Sequence, residues 1–137
     1  RRQRQMCIRD SMDTGLAMTS GVDIWLNNPI RPLEASGTSG MKAAMNGVPN
    51  CSILDGWWPE GCEHGVNGWA IGEAEDERDD VRDAENIYSV LEQEVLPLWD
   101  EGPERWAKLM RASIATSARF TGTRMIADYL HFYEKFA

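Results

Sequence analysis

The apolar and polar positions of the chain divide it into a front half of short strand-like runs and a rear half with helical periodicity. Val22-Asp23-Ile24-Trp25-Leu26-Asn27 is a short apolar run with β-branched and aromatic members, closed by Asn28-Pro29, and it predicts a buried strand. Pro29 and Pro32 then predict extended chain. Met41-Lys42-Ala43-Ala44-Met45-Asn46 favours helix, and Gly47 supplies its C-terminal stop. Asn50-Cys51-Ser52-Ile53-Leu54 reads as a second strand and Gly68-Trp69-Ala70-Ile71-Gly72 as a third. Strand, glycine-rich loop, helix and strand form one βαβ unit. An α/β fold with parallel strands follows, with ligands expected at the carboxyl ends of those strands.

From Glu73 to Glu94 there are ten acidic and two basic residues, which predict a solvated loop leading into a helix. Val81, Ala84, Ile87, Tyr88, Leu91 and Val95 recur at helical spacing, so the acids occupy the wet face of an amphipathic helix that Pro97 is expected to end. A second helix is predicted from Pro103, carrying Trp106, Met110, Ser113 and Ile114. A third runs from about Thr123 through Met125, Ile126, Tyr129, Leu130, Tyr133 and Phe136. No repeat or low-complexity linker interrupts this order.

Charge and composition narrow the function classes. The 137 residues carry 14 basic and 22 acidic side chains, a net charge of −8, which is the wrong sign for a surface that tracks phosphate backbones. The mean hydropathy is −0.46, and no apolar run approaches the roughly 20 residues of a membrane-spanning helix. Neither a nucleic-acid nor a membrane partner is expected. Residues 1–11 show no apolar periodicity and lack the apolar stretch of a signal peptide. They read as the translation of a transposase sequencing adapter, so they are expected to be a sequencing-adapter or cloning artefact, with the natural sequence over 12–137. That remainder has 10 basic and 21 acidic residues, a net charge of −11, and is expected to be part of a longer protein. Its two cysteines, Cys51 and Cys62, make no disulfide framework in a chain of this size, which suits a reducing, cytoplasmic setting.

The segment richest in chemistry is Ser36-Gly37-Thr38-Ser39-Gly40. Such a run can be a flexible linker, but it lies between a predicted strand and a helix former. There its backbone N–H groups and hydroxyls would stand at a helix N-terminus, where phosphate is held well. Neither the P-loop pattern nor G-x-G-x-x-G is present. Lys42 sits about one turn inside the helix and can lean back toward the same anion. Apolar neighbours Met41, Ala43, Ala44 and Met45 predict a buried helix, in which a lysine is activated for Schiff-base chemistry. A phosphate cradle beside such a lysine suggests pyridoxal phosphate. Other groupings say less. Cys51, Cys62 and His64 fit no standard zinc spacing and offer three ligands, so no metal is expected. Asp55-Gly56 is a turn signal, Trp57-Trp58 is read as packing before sugar stacking, and His131 as surface.

At these residues the chain resembles a known family. Arg31 to Gly47, reading RPLEASGTSGMKAAMNG, together with Ser52-Ile53-Leu54-Asp55-Gly56-Trp57-Trp58, resembles the α-glucan (glycogen, starch and maltodextrin) phosphorylases. The likeness is strong from about Gly21 to Gly72 and weaker over the helical tail. Ser39-Gly40, where many members have Gly-Asn, is similar to the short bacterial and archaeal branch. The resemblance implies a C-terminal fragment of a GT-B protein, an incomplete Rossmann-like domain with flanking helices and a helical tail. It implies a glycosyltransferase that moves the terminal glucosyl residue of an α-1,4-glucan to inorganic phosphate, giving α-glucose 1-phosphate with pyridoxal 5′-phosphate as cofactor. Lys42 then matches the Schiff-base lysine, Thr38 and Ser39 the cofactor-phosphate site, and Glu34, Ser36 and Gly37 the glucose site. The missing N-terminal domain of the same chain is an implied partner, a homodimer is left open for the full-length protein, and the fragment alone is expected to be inactive. The rivals are a nucleotide-sugar-dependent GT-B transferase of the glycogen or starch synthase type, which has no need of Lys42, and a non-catalytic carbohydrate-binding module.

Overall fold

The structure is a computed structural model that describes residues 12–73 and 78–136. Residues 1–11 and part of the acidic loop after Glu73 lie outside the described residues. The element order is α1 (Met12–Gly21), β1 (Trp25–Asn27), α2 (Thr38–Met45), β2 (Asn50–Ile53), α3 (Trp58–Gly61), β3 (Gly68–Ile71), α4 (Asp80–Val90), a π-helical turn (Leu91–Val95), α5 (Leu96–Asp100), α6 (Pro103–Ser117), a 3-10 turn (Ala118–Phe120) and α7 (Gly122–Phe136).

The sheet is parallel in the order β1-β2-β3, with Trp25 opposite Asn50 and Asn50 opposite Gly68. This is the expected α/β arrangement. β2 is central and buried throughout, whereas β1 is half-buried, with Leu26 exposed. The apolar run at 22–27 predicts a buried strand. The difference arises because β1 is an edge strand, paired on one side among the described residues.

The main core gathers Cys51, Ile53, Trp69 and Ile71 from the sheet against Val90, Val95, Trp106 and Leu109 from the helices. A second cluster holds Ala44, Trp57 and Trp58, with Met41 and Phe120 against it. Trp58 Nε1 donates to the Trp69 carbonyl at 3.0 Å, so the ring is buried with its one polar atom satisfied. Both tryptophans are packing residues, as expected.

Three local expectations need correction. The chain at 30–33 is not extended: the Arg31–Pro32 peptide is cis, and Leu33 N–H donates to the Ile30 carbonyl at 2.8 Å, closing a turn. Pro97 does not end a helix. It lies at the start of α5, and the π-helical turn before it absorbs the missing N–H and the crowding of its ring. The inward face along α4 and the π-helical turn is Ile87, Val90, Leu91 and Val95, while Val81 and Tyr88 are exposed. On α6 the inward face is Trp106, Leu109 and Ser113; Met110 and Ile114 are partly exposed and lie over Gly47, whose φ of 82° makes the predicted stop after α2.

Candidate functional site

The loop at 31–37, which completes the β1–α2 connection, and the first turn of α2 stand beside the turn that follows β2. Gly37 precedes α2 with φ 80°, and no side chain caps the helix. The Gly40 and Met41 N–H groups turn back to the Gly37 carbonyl, which leaves the N–H groups of Thr38 and Ser39 without an acceptor among the described residues. Uncapped N–H groups at a helix start favour an anion. Thr38 and Ser39 are both exposed there.

Lys42 lies one turn further along. Ala43 and Ala44 face the core, but Lys42 is exposed, so the expectation of a lysine held in apolar surroundings is corrected. The helix is too short to bury more than one face, and 42 falls on the other. That face borders a cleft of about 460 Å3 between α1 and α2, which Lys42 lines together with Ser39, Asn46, Trp25 and residues of α1. The volume lies within the range of small-molecule sites. An amine and a hydroxyl on one cleft, with uncapped N–H groups at the start of the same helix, fit a phosphorylated aldehyde.

Glu34, Ser36 and Gly37 lie on the other side of the same helix start, against the turn at Asp55–Trp57. Glu34 N–H donates to Asp55 Oδ2 at 3.0 Å, and Trp57 N–H donates to the Ser36 carbonyl at 2.9 Å. The structure therefore brings Ser39 and Lys42 together at the cleft, whereas Thr38, Glu34, Ser36 and Gly37 are not part of its lining, and the last three lie on a loop held by the turn at Asp55–Trp57.

The comparisons with known proteins bear on this arrangement. The chain is 53% identical over 130 residues to the maltodextrin phosphorylase of Thermococcus litoralis and 54% identical over 126 residues to the glycogen phosphorylase of Aquifex aeolicus. It is 45% identical over 123 residues to the glycogen phosphorylase of Mycobacterium tuberculosis. The chain is homologous to part of the glycogen and maltodextrin phosphorylases. These alignments take in 90%, 86% and 82% of the chain, but it spans only 16%, 18% and 14% of those phosphorylases. No family model matches the chain. No solved structure matches it either.

Within this phosphorylase-related segment, the sequence did not single out three residues that hold the site. Asn50, almost fully buried, donates from Nδ2 to the Gly40 carbonyl at 3.1 Å and ties α2 to β2. Arg31 anchors the start of the loop, with Nη1 donating to the Glu73 carbonyl at 3.1 Å and Nη2 facing Asp83 Oδ1 at 3.4 Å. Asp55 organises the loop's middle. Asp55-Gly56 was legible only as a turn, and no local pattern marks a long-range acceptor.

The remaining reactive groups are inert or structural. Burial pushes the Cys51 thiol up to about 12, helped by the Glu94 carboxylate and then Cys62; burial and then Glu63 do the same to Cys62, also to about 12. Neither is a nucleophile near neutral pH. His64 accepts the Ala70 N–H at Nδ1, at 3.1 Å, which leaves its proton on Nε2 to donate to Glu94 Oε2 at 2.6 Å. His131 is exposed. Among the described residues no helix is long and apolar enough to cross a membrane.

Proposed function

We propose that this chain is the cofactor-holding part of an α-1,4-glucan phosphorylase. In this reading it belongs to a Rossmann-like domain of a GT-B protein that transfers the terminal glucosyl residue of a glucan to inorganic phosphate, in the cytoplasm. The observation that carries the reading is Lys42 on one cleft with Ser39 at an uncapped helix start, in a chain about half identical to named phosphorylases. Pyridoxal 5′-phosphate, when bound, supplies a phosphate group that exchanges a proton with the substrate phosphate.

The chain's own residues have separate tasks. Lys42 holds the cofactor through Nζ, and its exposure on the cleft leaves the amine accessible. The N–H groups and hydroxyls of Thr38 and Ser39 bind the cofactor's 5′-phosphate, aided by the positive end of α2. The Glu34 carboxylate accepts hydrogen bonds from hydroxyls of the transferred glucose. The Ser36 and Gly37 N–H groups donate to the same sugar, so that a carboxylate and two amides fix its orientation. The rest of the longer protein closes the site and supplies the cations that hold inorganic phosphate, so the isolated chain is inactive. A nucleotide-sugar transferase is not favoured, because the named relatives are phosphorylases and that chemistry gives Lys42 nothing to do.

The test is a peptide map of the complete protein that carries this chain, after addition of pyridoxal phosphate and borohydride reduction. The chain has three lysines, Lys42, Lys108 and Lys135. A pyridoxyl mass on Lys42 that disappears in Lys42→Ala, along with glucose 1-phosphate release from maltoheptaose, is the expected result. A folded protein with no label on Lys42 refutes the reading.

A further inference from the structure

The loop that carries Glu34, Ser36 and Gly37 has almost no regular secondary structure, yet its backbone is tightly held. The holder is the turn Asp55-Gly56-Trp57. An aspartate that only makes a turn needs one local bond, and Asp55 Oδ1 provides it by accepting the Gly56 N–H at 2.9 Å. Its second oxygen reaches across 21 residues to accept the Glu34 N–H at 3.0 Å, which no turn requires. Trp57 N–H then fixes the Ser36 carbonyl at 2.9 Å.

Shape reinforces these bonds. Gly56 has φ 60°, and a Cβ there would lie 2.6 Å from the Ser36 carbonyl oxygen and 3.0 Å from Glu34 Cγ. Gly37 has φ 80°, and a Cβ there would lie 3.2 Å from Trp57 Cδ1. Two long-range hydrogen bonds and two close approaches therefore determine where the Glu34–Gly37 backbone stands. Arg31 anchors only the start of the loop, so the middle depends on Asp55.

We propose that Asp55 is a positioning residue for sugar recognition. It holds the Glu34 backbone so that the Glu34 carboxylate and the Ser36 and Gly37 N–H groups converge on the transferred glucosyl unit. The inference rests on the phosphorylase reading. A carboxylate can accept both N–H groups at once, with the added strength of a charged acceptor. Asp55→Asn keeps the size but replaces one acceptor with an NH2 donor, which confronts an N–H donor in turn.

The experiment compares the complete protein carrying this chain with its Asp55→Asn, Glu34→Gln and double variants. It measures steady-state kinetics with glucan, phosphate and glucose 1-phosphate, and borohydride labelling at Lys42. The expected result for Asp55→Asn is a fall of about 10- to 100-fold in kcat/KM. KM for the glucosyl substrates rises, KM for inorganic phosphate stays unchanged, and Lys42 labelling is retained. The double variant falls short of the product of the two single effects, since both share the Glu34 carboxylate and only the Ser36 and Gly37 N–H groups are lost separately. Wild-type kinetics in Asp55→Asn overturn the proposal. So do effects that multiply in the double variant, or a rise in both KM values with loss of labelling, which marks a scaffold role. A wild-type protein that forms no glucose 1-phosphate overturns the phosphorylase reading and the proposal with it, and it does so before any substitution is made.

Discussion

Replacing Asn67 by Asp changes one atom in a buried side chain that makes three hydrogen bonds and should make stability depend on pH. Asn67 is 1% exposed, and its Oδ1 accepts the Glu63 N–H at 2.9 Å. Its Nδ2 donates to the Gly61 carbonyl at 2.8 Å and to Thr116 Oγ1 at 2.7 Å. A carboxylate keeps the first bond, and the Thr116 hydroxyl can rotate to donate to it. The Gly61 carbonyl cannot, so two oxygens would face each other where a hydrogen bond stood. Protonation restores the donor, and burial also favours the neutral acid, so the folded pKa of the introduced carboxyl rises well above the usual carboxylate value of about 3.9. The folded state then keeps a proton that the unfolded chain releases, and stability falls as pH rises from about 4 toward the folded pKa. The slope approaches about 1.4 kcal/mol per pH unit, or up to about 4 kcal/mol between pH 4 and 7. Urea unfolding followed by tryptophan fluorescence measures it, because Trp57, Trp58, Trp69 and Trp106 are buried. The quantity of interest is the Asn67→Asp minus wild-type difference at about pH 4.5 and about pH 7, which removes the parent's own titration. A difference that is constant, or smaller at the higher pH, refutes the reasoning.

Three further outcomes follow from other parts of the structure. Cys51 and Cys62, both raised to about 12, should react with a thiol reagent at about pH 8 far more slowly in the folded chain than in urea, as peptide mapping would show. Above about pH 9 the unfolded chain gives up these protons first, so stability should fall as pH climbs toward about 12; faster labelling in the folded state contradicts this. Helix α7 buries none of its residues, and Ile126 and Leu130 are both exposed on it. The isolated chain should therefore self-associate with concentration, and Ile126→Glu with Leu130→Glu should reduce light scattering; unchanged scattering counts against an apolar contact there.

The strands and helices were legible because each is a local pattern. β2, β3, α6 and α7 lie within a residue or so of their expected places, and the βαβ order predicted the parallel sheet. α1 and α3 were not foreseen: α1 lacks a clear apolar stripe and α3 is four residues long. The π-helical turn that carries the chain through Pro97 was missed as well, since a proline reads as a stop unless the preceding turn can open to accept it.

For the site, the sequence determined the residue types and their order: a run of small hydroxylic residues, a helix former, and a lysine one turn inside it. It also carried the likeness to the phosphorylases, since unbroken motifs survive in a short chain. Only the tertiary structure decided that Lys42 faces a cleft rather than the core, because a short helix against a sheet buries one face and periodicity over eight residues does not say which. Only it joined Asp55 to Glu34 and Trp57 to Ser36. Those bonds depend on where β1 and β2 end relative to each other, and that register is set by strand pairing and core packing, not by any pattern within the loop.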